Sequence, residues 1–202
     1  MDPLMLMATF GRADNITRWC GRFLKWDFSR RAAETMGVTV LGFAISTGPH
    51  KLEAVKALVK AGANPLEITA LTGTTCLHNA AANKDACTEL VRYLLKLPGV
   101  RALINTPMRA RTLKWKARLL VVRLLVKLGS TKVLLLNVNE WSKLTPLTTA
   151  ARNGNASVVK MLVEEGGADT QLRNARGHTA LDSLVGERTQ STTRMLLSKK
   201  GE

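Results

Sequence analysis

The chain has 202 residues, of which 46% are hydrophobic and 4% aromatic, and it carries a formal net charge of +15 at pH 7. That apolar content suffices for a sizeable core, whereas three cysteines, Cys20, Cys76 and Cys87, supply no disulfide framework and point to a reducing compartment. One Tyr and four Phe are too few for a base-stacking surface, so nucleic-acid binding would rest on charge alone.

In chain order, the first apolar run, Pro3 to Phe10, has no basic region ahead of it, which argues against a signal peptide. Its frame of Pro3, Leu4, Ala8 and Gly11 returns step for step at Pro146 to Gly154. A weak helical phrase starts at Ile16 and is followed by Trp19, Phe23 and Trp26, which must pack inward or form a patch for another subunit. Stronger copies of that phrase are Val55-Lys-Ala-Leu58-Val59, Val91-Arg-Tyr-Leu94-Leu95, Val122-Arg-Leu-Leu125-Val126 and Val159-Lys-Met-Leu162-Val163, with a last weak one at Thr193. A second phrase precedes most copies: Thr75-Cys-Leu-His-Asn-Ala80-Ala81, Thr145-Pro-Leu-Thr-Thr-Ala150-Ala151 and Gly177-His-Thr179-Ala-Leu181. Two phrases in register at a period of about 35 residues predict a stacked array of helical units.

Local chemistry fits that expectation. Thr145 caps a helix whose first position is Pro146, where the missing N–H costs nothing. Gly62, Gly129 and Gly166 follow the second helices, where a left-handed residue ends a helix. Longer inner loops are expected around Gly48-Pro49-His50 and Lys84-Asp85-Ala86.

The stretch from Thr106 to Ser142 has lost the first phrase, and a basic, Trp-containing run from Arg109 to Arg118 stands in its place. Its membership of the array rests on the second phrase alone. Lys114 to Leu128 reads as a basic amphipathic helix of the kind that meets anionic membranes or grooves. Because its second half keeps the repeat frame, Val122, Leu125 and Val126 are expected in the core. Leu119 to Leu136 is interrupted by Arg123, Lys127, Gly129 and Lys132 and makes a poor spanning helix.

On these phrases the sequence resembles the ankyrin repeat family, whose unit is a β-turn finger plus two antiparallel helices. The match is best from Leu144 through Asn155, Val159, Leu162 and Gly167-Ala168-Asp169 to Gly177-His178-Thr179. The resemblance implies an all-α solenoid forming one domain over residues 1–202. Its repeats fall near 2–35, 37–71, 73–105, 106–142, 143–175 and 177–200. It also implies a structural role for His78, bonded to the turn backbone.

No acidic residue lies between Glu89 and Glu140, while Arg109, Arg111, Lys114, Lys116 and Arg118 form a central basic patch. Overlaying the copies puts Lys56, Arg92, Arg123, Lys160 and Arg194 at one position, which predicts a ladder of bases along the outer helices.

Catalytic chemistry is thin. His50, His78 and His178 are far apart in sequence, no Cys-x-x-Cys or His-x-x-x-His pair offers zinc ligands, and Gly166-Gly167 closes a helix instead of cradling a phosphate. Asp182, Glu187, Glu164 and Glu165 read as solvated carboxylates. The expectation is a non-catalytic, monomeric interaction module without a cofactor, in the cytoplasm or nucleus. The resemblance implies binding through finger tips and inner helices, hence through Thr69, Thr72, Thr74, Asn79, Trp141, Lys143, Thr148, Arg152, Arg173, Arg176 and His178. That mixture of bases and Trp favours an acidic protein partner. The alternative is electrostatic binding of nucleic acid or an anionic membrane by the central bases.

Overall fold

A computed structural model describes residues 3–29, 37–48, 50–69, 72–83, 88–128 and 143–184, except the side chains of Lys114, Trp115, Arg118, Leu119, Arg123 and Val126. The described residues form helices and turns with no strand: α1 (Pro3–Thr9), α2 (Ala13–Arg22), α3 (Val40–Ser46), α4 (Lys51–Lys60), α5 (Cys76–Ala81), α6 (Thr88–Lys96), α7 (Leu113–Lys127), α8 (Pro146–Arg152) and α9 (Ala156–Glu164). A short 3-10 turn spans Val100–Leu103.

Each unit is a helical hairpin too small to bury its own apolar face, so neighbours must stack. The inner helices run α1, α3, α5, α8 and the outer helices α2, α4, α6, α9, each packed on the next. Ile16, Val55, Leu58, Val91, Leu94, Val159 and Leu162, all from the outer-helix phrase, are buried between the rows. Ala80, Ala81, Ala150 and Ala151 are buried where inner and outer helices approach. Trp19, Phe23 and Trp26 form one cluster with ring centroids 4.3–6.4 Å apart; Trp19 and Trp26 pack on the core while Phe23 stays partly exposed.

Helix starts follow the capping logic. Thr145 Oγ1 accepts the N–H of Thr148 ahead of Pro146, and Thr75 with His78 makes a reciprocal capping box. The frame shared by Pro3–Gly11 and Pro146–Gly154 is conformational too, since Arg12 (φ −81°, ψ 72°) and Asn155 (φ −82°, ψ 72°) start their outer helices in one geometry. One expectation is corrected: after α9 the left-handed residue is Gly167 (φ +74°), not Gly166, which instead lies close against Ile104 and the Leu162 carbonyl. Gly129 lies outside the described residues.

The expected fourth unit, residues 106–142, differs in its described part: α7 does not lie between the third and fifth units, because α5 packs directly on α8 and α6 on α9. Among the polar links that join these neighbours are His78 Nε2 to the Leu144 carbonyl (3.0 Å), Asn155 Nδ2 to the Ala81 carbonyl (3.1 Å), the Asp169 N–H to Asn105 Oδ1 (2.9 Å), and Arg92 to Glu165 (3.0 Å). The outer ladder is corrected accordingly. Its described rungs are Lys56, Arg92 and Lys160, with Lys56 paired to Glu53 and Arg92 to Glu165; Arg123 is on α7, outside the row, and Arg194 is outside the described residues.

Candidate interaction surface

Three fingers close by one hydrogen-bond scheme. In the first, the N–H of Thr69 donates to the Thr74 carbonyl and that of Gly73 to the Thr69 carbonyl, both at 2.9 Å. In the second, Met108 donates to Leu144 and Lys143 to Met108, both at 2.8 Å. In the third, Asn174 donates to His178 (2.9 Å) and Gly177 to Asn174 (3.1 Å). The closing residue is left-handed each time: Gly73 (φ +73°), Lys143 (φ +64°) and Gly177 (φ +81°). The second finger therefore closes between Met108 and Lys143, and in sequence 109–142 stands where 70–72 stands in the first finger, as an insertion. A Cβ on Gly73 would fall 2.6 Å from the Arg109 carbonyl oxygen, so only glycine lets the two fingers stack there.

At the third finger the Asn174 carboxamide organises the turn. Its Oδ1 accepts the N–H of Arg176 (2.8 Å) and of His178 (3.1 Å), while Arg173 Nη1 donates to the Gly177 carbonyl at 2.6 Å. Arg173, Arg176 and His178 are exposed on this braced loop. A cleft of ≈ 170 Å³ opens beside it, lined by Arg152, Asn174, Arg176, His178 and Asp182 among others. Asp182 is not merely solvated: it accepts the N–H and hydroxyl of Thr179 at 2.8 and 2.9 Å, and those bonds lower its pKa. Asn174 escaped the sequence reading, which took Asp182 only as a solvated carboxylate; the Asn-x-x-Gly spacing is the signal that marks Asn174.

The remaining anticipated contact residues divide by burial. Thr72, Thr74 and Asn79 are half-buried at the first finger, where Thr72 and Thr74 pair through their hydroxyls at 2.6 Å. Thr69 and Thr148 are corrected, since both are buried and offer a partner no side chain. Thr148 takes the place that His78 has one unit earlier and bonds to Thr145. Lys143 is exposed at its finger, and Trp141 lies outside the described residues. In the basic patch Arg109, Arg111 and Lys116 are exposed. Lys114 and Arg118 belong to α7.

The deepest polar group is His78. Burial lowers its pKa to about 4, against the opposing pull of the Leu144 carbonyl, so the ring is neutral. Its Nδ1 accepts the N–H of Thr75 (3.2 Å), which leaves Nε2 as the N–H that donates to Leu144. Burial likewise raises the Cys76 thiol to about 12, too high for a neutral-pH nucleophile.

A family model for ankyrin repeats in three copies matches residues 115–202, and one for a single ankyrin repeat matches 72–107, together more than half of the chain. The chain belongs to the ankyrin repeat family. Repeats of this family generally mediate protein–protein interaction and are typically non-catalytic. The three-copy match begins inside α7, although α7 stands outside the helix rows. Among solved structures, the chain is similar to one in the structure of the Bd0816 predatory endopeptidase from Bdellovibrio bacteriovorus in complex with immunity protein Bd3460. The identity is 27% and the TM-score 0.59, over 99% of this chain and 81% of that one. No curated protein matches the chain.

Proposed function

We propose that this ankyrin array binds an acidic protein segment through the face formed by the third finger and the end of α8, acting as a non-catalytic, monomeric cytoplasmic adaptor. The observation that carries the reading is the Asn174-braced turn. It leaves Arg173, Arg176 and His178 exposed on one turn, next to a cleft lined by Arg152, Arg176 and His178 whose one carboxylate is already engaged by Thr179. A braced loop loses little conformational freedom on binding, and a basic surface speeds encounter with an acidic partner. The similar solved chain comes from a protein–protein complex, which supports the same class of function.

Affinity capture with the tagged full chain tests this. Lysate is treated with nuclease and washed at physiological and at high salt, and wild type is compared with R152E/R176E. One discrete acidic protein retained by wild type and lost by the double variant is the expected result. An identical set of captured proteins on both baits would sink the assignment of this face.

A further inference from the structure

The insertion carries a helix that the repeat stack does not use. Along α7 and its first following residue, Leu113, Ala117, Leu120, Val121, Leu124 and Leu128 follow the spacing that places side chains on one face of a helix. All six are exposed; Leu113 is 84%, Leu120 68% and Leu128 75% exposed. Even Leu125, expected in the core, is 41% exposed, and Val122 is only half-buried. Three or four of these leucines in a row would be a liability on a soluble surface. Here they sit on a helix that stands outside the packed helix rows.

We infer that α7 is an interfacial helix that docks the protein onto an anionic lipid bilayer, with the Leu113–Leu128 stripe laid into the headgroup boundary. Charge selects this occupant. Lys116 and Lys127 are exposed on the helix beside the stripe, Arg109 and Arg111 are exposed just ahead of it, and Lys114, Arg118 and Arg123 belong to the same helix. No acidic residue occurs between Glu89 and Glu140. A second copy of α7 would bring like charges together along the edges of any apolar seam, which opposes self-pairing. An anionic surface meets both features at once: leucines enter the acyl boundary while bases rest among phosphates and carboxylates. With fifteen residues the helix is too short to span, and no described helix is long and apolar enough to cross a membrane. The inference is independent of the cleft at the third finger.

Co-sedimentation of the full chain with phosphatidylcholine vesicles, with and without about a third phosphatidylserine, tests it. Wild type should pellet with the anionic vesicles and stay in solution with neutral ones. L120D/L124D should weaken that partition at least tenfold and K116E/K127E should weaken it severalfold, both with an unchanged melting temperature because these side chains lie outside the core. Three results overturn the inference: no binding to anionic vesicles, binding that ignores the leucine substitutions, or light scattering that shows a dimer lost in L120D/L124D, which would make a second copy the occupant. Tight binding to RNA that displaces the protein from vesicles would likewise show that the bases read phosphate polymers instead.

Discussion

His78 Nε2 donates to the carbonyl of Leu144 at 3.0 Å, joining two units whose sequences are separated by the whole α7 insertion. The bond is made by a neutral ring, and burial holds the His78 pKa at about 4 where an unfolded histidine titrates near 6.5. The unfolded chain therefore takes up a proton before the folded one, so stability is complete above about pH 6.5 and falls as pH drops toward 4. That window corresponds to roughly 3 kcal/mol in full. Urea unfolding across pH 4–7 should show this slope in wild type and its loss in H78Q. H78Q should also be less stable at pH 7 by about 2–4 kcal/mol, because Thr75 and Leu144 lose a shared partner.

Deletion of the insertion should leave the array folded. Replacing residues 109–142 with the three-residue tip of the first finger, Ala70-Leu71-Thr72, keeps the closing bonds of Met108 with Lys143 and Leu144 and leaves α5 on α8. Far-ultraviolet dichroism and a melting curve should show a cooperative fold with a midpoint within a few degrees of wild type. A chain that unfolds on this deletion would mean that the segment is an integral repeat.

Lys143 carries strain that its counterparts avoid. It adopts φ +64° where Gly73 and Gly177 serve the other two fingers. A left-handed conformation costs a side-chain-bearing residue about 1 kcal/mol or more relative to glycine. K143G should raise thermal stability by about that amount, read as an upward shift in melting temperature; a decrease would show that the lysine side chain makes a stabilising contact that offsets the strain.

The helical class, the stacking and the caps were legible because periodic phrases report packing directly. Val55, Leu58, Val91, Leu94, Val159 and Leu162 repeat since each fills the same slot between rows. The fourth unit is where phrase and packing part. Val122-Arg-Leu-Leu125-Val126 keeps the outer-helix spacing, yet α7 stands outside the helix rows and no Thr-Pro-Leu-His phrase precedes it to cap an inner helix. Which of the anticipated contact residues are exposed was legible only in part. A finger position such as Thr69 alternates between tip and interior, and its direction depends on closing bonds that sequence spacing does not display.

Asn155 tests the direct stacking of neighbours from another side. It is buried at the start of α9 and its Nδ2 donates to the carbonyls of Ala81 and Asn83, which end the inner helix of the preceding unit. N155A leaves those carbonyls with fewer partners and should cost about 1–3 kcal/mol, whereas N155D, which exchanges a donor for a charged acceptor facing carbonyl oxygens, should cost more. Equal stability of the two variants in chemical denaturation would count against this bond.

Two leucines separate the core from the docking helix. Leu162 is fully buried in α9, whereas Leu120 on α7 is mostly exposed. L162A removes atoms from a close-packed interface and leaves a cavity, so a loss of about 2–5 kcal/mol is expected. L120A removes atoms that already face water, so the change should stay within about 0.5 kcal/mol. Urea denaturation of the two variants side by side decides the point. Comparable losses would place α7 inside the cooperative core, while a loss confined to L162A would leave the stripe of leucines without a folding role and bind its explanation to what it touches outside the chain.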